Sequence, residues 1–198
     1  MRELGFGITP ARCYPAVRLE VSVTDSFIDV LAAGCDAGVR YEESIARDMI
    51  AVPIGPRRQC YAAAAAPSYL AAHGTPAHPR DLASRACIRH RFASGRLSIW
   101  EFERADEVVR VSPDGPLIAE SIEIEVAAAV AGLGIIVTFE EFLQAEIERG
   151  TLMPILPEWW QSFPGPSLYY QSRRHMPPQL RAFIDYVKNV PVNCLSGP

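Results

Sequence analysis

The run ESIEIEVAAAVAGLGIIVTF, residues 120–139, sets the pattern for the chain. Ser121 has the chemistry of an N-cap, with a hydroxyl that can accept from the free N–H groups of a first helical turn. Glu123 and Glu125 follow where the helix dipole favours negative charge. Residues 126–131 are small and apolar, and Gly132 suits a left-handed cap. Gly134 then opens a β-branched run, 135–137, that reads as a buried strand. A helix start of this kind can receive an anion if it faces open space, and otherwise it is a capped helix packed on a sheet.

The same reading extends in both directions. Residues 17–23, VRLEVSV, alternate and predict a strand with Val17, Leu19, Val21 and Val23 on one face. Cap chemistry at residues 24–26 and helix spacing over 27–33 lead to Gly34, then to a short strand at 36–40. Strand, helix and strand predict a βαβ unit with its two strands parallel. Further strands are expected at 49–54 and 59–65. Five consecutive alanines, Ala62–Ala66, favour a helix by propensity, but Pro67 argues for a strand that ends there and a helix over 68–73.

A loop with two prolines and a short helical turn at 80–84 come next. A strand follows at 86–92, then a hairpin of 99–104 with 108–111. Helix 140–149 closes at Gly150. Residues 152–156 form an edge strand because Pro154 lies within it. Residues 158–164 read as a loop and 167–171 as a strand. The last element is an amphipathic helix over 178–188, with Leu180, Phe183, Ile184 and Val187 inward.

This order of elements predicts two α/β lobes. Residues 1–62 with 168–198 form the first and 63–167 the second, with a cleft between them as the expected pocket. The 198 residues are 49% hydrophobic, enough for a packed core. A net charge of −4 gives no basic footprint for gripping nucleic acid. No apolar run is long enough to span a membrane, and a cytoplasmic location is expected. The five cysteines, Cys13, Cys35, Cys60, Cys87 and Cys194, show no metal or redox spacing and read as reduced, mostly buried thiols. The four histidines lack metal spacing, and no nucleophile elbow or phosphate loop occurs. No enzyme activity, metal or cofactor is expected.

Five runs carry a resemblance: AAGCDAGVRYEESIARDMIAVPIG, APSYLAAHGTPAHPRDLASRACIRHR, SIWEFER, AAAVAGLGIIVTFEEF and LYYQSRRHMPPQLRAFIDYV. In this order and spacing, over residues 14–188, the chain resembles the effector-binding domain of LysR-type transcriptional regulators. The resemblance implies a type 2 periplasmic-binding-protein-like fold, two Rossmann-like lobes joined by two crossover strands. It implies a small effector in the cleft, commonly a carboxylate or other polar metabolite, and a homodimer or higher homo-oligomer. DNA is then engaged only through a separate N-terminal winged helix-turn-helix. Nothing before residue 14 can form that domain, and residues 1–13 are too short for the family's first strand and helix. An incomplete first lobe is therefore expected. The alternative is a truncated dimerisation module that binds no effector.

Matching to the family selects the candidate site. Thr24 ends the first strand and faces the cleft, or caps helix 27–33. Arg40 forks onto a carboxylate, or pairs with Glu42 or Glu43. His90 and Arg91 lie on the strand entering the second lobe and, by alternation, point to opposite faces. Ser121 sits at the helix start, and Thr138 and Phe139 form the pocket floor, unless Phe139 is ordinary core. Trp100, Trp159 and Trp160 read as packing or dimer surface.

Overall fold

The computed structural model of the protein describes residues 18–23, 34–41, 49–171 and 176–189. Contacts divide the chain into two compact units, Met1–Arg58 with Pro164–Pro198, and Gln59–Phe163.

In the first unit, strands β1 (Gly38–Arg40) and β2 (Met49–Pro53) flank a third strand, Ser167–Gln171. Both pair with it antiparallel, in the registers Val39↔Leu168 and Ala51↔Tyr169. The helix Pro178–Asn189 covers this sheet. Its Ile184 and Val187 are buried among Val52, Ile54, Leu168 and Tyr170, with Leu180 and Phe183 packed at the margin. Those four apolar positions are the stripe expected from the sequence. Gly38 makes room for Tyr169, because a Cβ there would lie 2.6 Å from the far side of that ring and would have to displace it.

Two expectations change in this unit. Residues 18–23 belong to no strand, and Val21 and Val23 are 66% and 84% exposed. Their alternation supplies the shape of a strand but not the burial that holds one. The predicted helix 27–33 lies outside the described residues, so no parallel βαβ unit is described here.

The second unit is built on a six-stranded mixed sheet. Its strands are β3 (Arg58–Ala65), β4 (Cys87–His90), β7 (Leu117–Ala119), β8 (Ile135–Phe139), β9 (Met153–Ile155) and β10 (Ser162–Pro164). The order is β10-β3-β8-β4-β7, with β9 also on β3. β4 runs parallel to β7 and β8, while β3 is antiparallel to β8 and β9. The hairpin β5 (Trp100–Arg104) and β6 (Glu107–Val111) forms a separate two-stranded sheet.

The alanine run explains itself in this setting. β3 is central and buried on both faces, so its side chains must be small. Ala63 and Ala65 face one core with Cys87, Ile135, Phe102, Leu82 and Trp159. Ala62 and Ala64 face the other with Ile88, Ile136, Leu143 and Leu152. Helix α1 (Pro67–His73) starts with Pro67 in its first turn, where the missing N–H costs nothing. It covers the first face through Tyr69 and Leu70. Helices α2 (Ile122–Val130) and α3 (Glu140–Glu148) cover the second, with Ala129 and Leu143 buried there.

Gly132 ends α2 as expected, at φ +81°. Gly132 N donates to Ala129 O at 2.9 Å and Leu133 N to Ala128 O at 3.0 Å, which satisfies two terminal carbonyls. The stretch expected to be a loop over 158–164 is more ordered. It holds a 3-10 turn, Pro157–Trp159, and strand β10. Trp159 is fully buried and Trp100 nearly so, so both are packing residues. Free cysteines among the described residues are exposed Cys35, half-buried Cys60 and buried Cys87. Burial pushes the Cys87 thiol up to about 12, with the nearby Arg89 charge opposing it.

Candidate functional site

The parallel strands β7, β4 and β8 end together, and their registers define a row across the sheet. His90 lies opposite Ala119 on β7. On β8, Ile88 pairs with Ile136, so His90 is level with Thr138. Thr138 in turn pairs with Ala62, and the next residue, Phe139, with Tyr61. Just beyond β7 the chain turns into α2 at Ser121. The carboxyl ends of parallel strands, beside a helix start, are where open α/β sheets bind ligands. His90, Arg91, Ser121, Thr138 and Phe139 therefore share one end of this sheet.

His90 and Thr138 belong to the face covered by α2 and α3, following the alternation of Ile88 and Ile136. Thr138 is buried at 3% exposure. His90 Nδ1 lies 2.7 Å from Oε1 of Glu125, whose side chain is 1% exposed. Burial raises the Glu125 carboxyl above its ordinary range, and the hydrogen bond and charge of His90 oppose that shift. The His90 and Phe92 rings meet edge to face, with centroids 5.0 Å apart. Glu125 is the functional candidate that the sequence reading missed. Its one signal was position, since it lies four residues before buried Ala129 and so on the inward stripe.

Ser121 occupies the N-cap, but its hydroxyl makes no bond to the helix backbone. It donates instead to Oε2 of Glu123 at 2.6 Å. That hydrogen bond is the main cause holding the Glu123 carboxyl below its ordinary range. The expected cap is corrected here: the hydroxyl is turned toward the Glu123 carboxylate, to which it donates a charge-assisted hydrogen bond, and its oxygen accepts from no helix N–H.

Phe139 joins an aromatic group with Tyr61, stacked at 4.6 Å, Phe163 at 6.1 Å and Phe142 at 6.3 Å. It packs rather than lying open. Arg91 is exposed, and its backbone N–H donates to Ala119 O at 2.7 Å. Arg89 points away from His90, as alternation requires, and its Nη2 donates to Ser98 O at 2.7 Å. In the first unit, the Arg40 guanidinium lies 5.7 Å from the Tyr169 ring centroid, a cation–π contact that neither expectation for it named. Thr24 lies outside the described residues.

No group of three or more metal-ligating side chains occurs among the described residues. No described helix is long and apolar enough to cross a membrane.

The family model described as the LysR substrate binding domain matches residues 11–191. A putative transcriptional regulator of Pseudomonas aeruginosa is 43% identical over 176 residues, covering 88% of this chain and 57% of that protein. The Escherichia coli K12 protein named as the uncharacterized HTH-type transcriptional regulator YcaN is 36% identical over 178 residues, covering 89% of this chain and 57% of its own length. The chain thus spans a little over half of these curated relatives. Among solved structures, the regulatory domain of AphB from Vibrio vulnificus superposes with a TM-score of 0.80 at 24% identity, covering 93% of this chain and 90% of that one. CrgA from Neisseria meningitidis, a LysR-type transcriptional regulator, gives a TM-score of 0.73 at 25% identity, covering 100% of this chain and 66% of its own. The fold is the mixed α/β, type 2 periplasmic-binding-protein-like fold of such regulatory domains.

Proposed function

Because the chain belongs to the LysR substrate-binding domain family, we propose that it is an effector-sensing module for a small polar or anionic metabolite, and not an enzyme. The observation that carries this reading is the row at the carboxyl ends of β7, β4 and β8, where His90 sits level with Thr138 beside the Ser121 helix start. Ser121 and His90 supply polar contacts, Thr138 lines the end of the sheet, and Arg91 supplies charge. Thr24 and Arg40 are the first unit's candidates. Phe139 acts as support for this end of the sheet through its aromatic neighbours.

By this reading, effector binding to the chain changes the arrangement of paired subunits in the cytoplasm. That change alters how an HTH domain engages DNA. The supporting fact is that the relatives are named as HTH-type or putative transcriptional regulators. Binding that favours the folded state raises its stability by mass action, by about 2.7 kcal/mol at a hundredfold excess over Kd. A thermal-shift series with acetate, succinate, citrate, benzoate and the free amino acids tests the reading. A rise in Tm with at least one supports it, and a flat series throughout rejects it.

A further inference from the structure

Glu125 is the one acidic side chain buried among the described residues. It sits on the inward stripe of α2, four residues before Ala129, where a leucine would pack without any charge to bury. An ionised carboxylate in such a place is costly unless it is paired. Its partner is His90 Nδ1 at 2.7 Å, contributed by a strand 35 residues away. Where Glu125 is ionised it has no hydrogen to give, and Nδ1 then carries the proton of this bond. Neutral imidazole in water favours the other tautomer, with the proton on Nε2. The pairing therefore selects the ring state, and the Phe92 edge contact limits its rotation.

We propose that Glu125 is a positioning residue: it holds Nδ1 of His90 against α2 and turns Nε2 toward the effector, making His90 the contact for an anionic group. The inference rests on the sensing role proposed above and assigns the effector's chemistry at one atom. The His90 side chain keeps 23% of its surface, enough for one ring edge to reach a ligand. When the ring carries both protons, Nε2–H donates to a carboxylate oxygen while Glu125 balances the imidazolium from behind. A buried carboxylate orienting a histidine whose far nitrogen does the work is a general device in histidine chemistry. Of the other charged groups nearby, Glu123 is held by Ser121, and Arg89 is engaged on the opposite face.

The test uses the 198-residue chain and long-range nitrogen–proton NMR of its imidazoles. Neutral His90 is expected to carry its proton on Nδ1 in the wild type and on Nε2 in Glu125→Leu. Of acetate, succinate, citrate and benzoate, the one that binds the wild type most tightly is then titrated. Loss of a charge-assisted hydrogen bond predicts roughly 10- to 100-fold weaker binding in Glu125→Leu. His90→Phe is expected to match that loss, and the double variant to lose no more. Affinity retained within about twofold in Glu125→Leu overturns the inference, since a purely structural role moves Tm and leaves affinity alone. An Nε2–H tautomer in the wild type also overturns it, and needs no variant to fold. Absence of binding by all four carboxylates in the wild type overturns His90 as a contact for an anionic group; absence of binding by the free amino acids as well overturns the sensing role itself.

Discussion

Gly134→Ala tests how the site-bearing strands are held together. An ideal Cβ at Gly134 would lie 2.5 Å from the Ala86 carbonyl oxygen, 2.9 Å from its carbon and 3.3 Å from Cys87 N. All three are backbone atoms, so no side chain can swing aside. A carbon–oxygen contact settles near 3.3 Å, so the chains must part by roughly 0.8 Å. At that same point Ile135 N donates to Ala86 O at 2.9 Å, the bond that starts the β4–β8 pairing. Stretching it by that amount takes it to roughly 3.7 Å, beyond hydrogen-bond range. The lost bond and the overpacking together cost about 2–4 kcal/mol, partly offset by the alanine's lower unfolded-state entropy. For a chain of this size that is a fall of roughly 5–15 °C in Tm. Urea unfolding followed by tryptophan fluorescence measures it, because Trp100 and Trp159 are buried in the same unit. Gly150→Ala is the control. Gly150 has φ +71° with nothing within 4 Å of an added Cβ, so only left-handed strain of about 1–2 kcal/mol applies. If Gly134→Ala costs no more than Gly150→Ala, the close approach of β8 to the residue before β4 is wrong.

Two further predictions concern α2. Ser121→Ala is expected to cost under about 0.5 kcal/mol, less than the ~1 kcal/mol of a true cap, and to raise the Glu123 carboxyl toward its ordinary value in an NMR titration; a full cap penalty would restore the capping role. For Glu125, burial raises the folded carboxyl above its unfolded value. Its favourable contribution is complete below the ordinary carboxylate range and is lost as pH rises through the folded value. The Tm of the wild type relative to Glu125→Gln is therefore expected to fall as pH rises above the ordinary carboxylate range. A relative Tm that climbs with pH would mean that the His90 interaction outweighs burial.

What could be read from the sequence was what depends on neighbours along the chain. Pro67 overrode the helix propensity of Ala62–Ala66, and the strand it implied is present. Gly132 closed α2, and the stripe on the final helix placed Ile184 and Val187 inward. What could not be read depended on partners distant in sequence. The alternation of residues 18–23 has the form of a strand, yet exposed Val21 and Val23 have no burial to fix it. Trp159 looked like part of a loop because nothing local says that a 3-10 turn carries it into a core with Phe102 and Tyr69. Ser121 was read as a cap because Glu123 was credited only to the dipole and not as an acceptor for the serine hydroxyl. The His90–Glu125 pair joins a strand to a helix, and only the sheet register brings them together.

The central claim is that a small polar or anionic metabolite binds where β7, β4 and β8 end. Backbone amide shifts of the isotopically labelled chain, titrated with whichever carboxylate raises Tm most, test it directly. The account predicts saturable changes concentrated at His90, Arg91, Ser121–Glu125, Thr138 and Phe139. Changes confined to the β5–β6 hairpin or the final helix, with the sheet end silent, would contradict it.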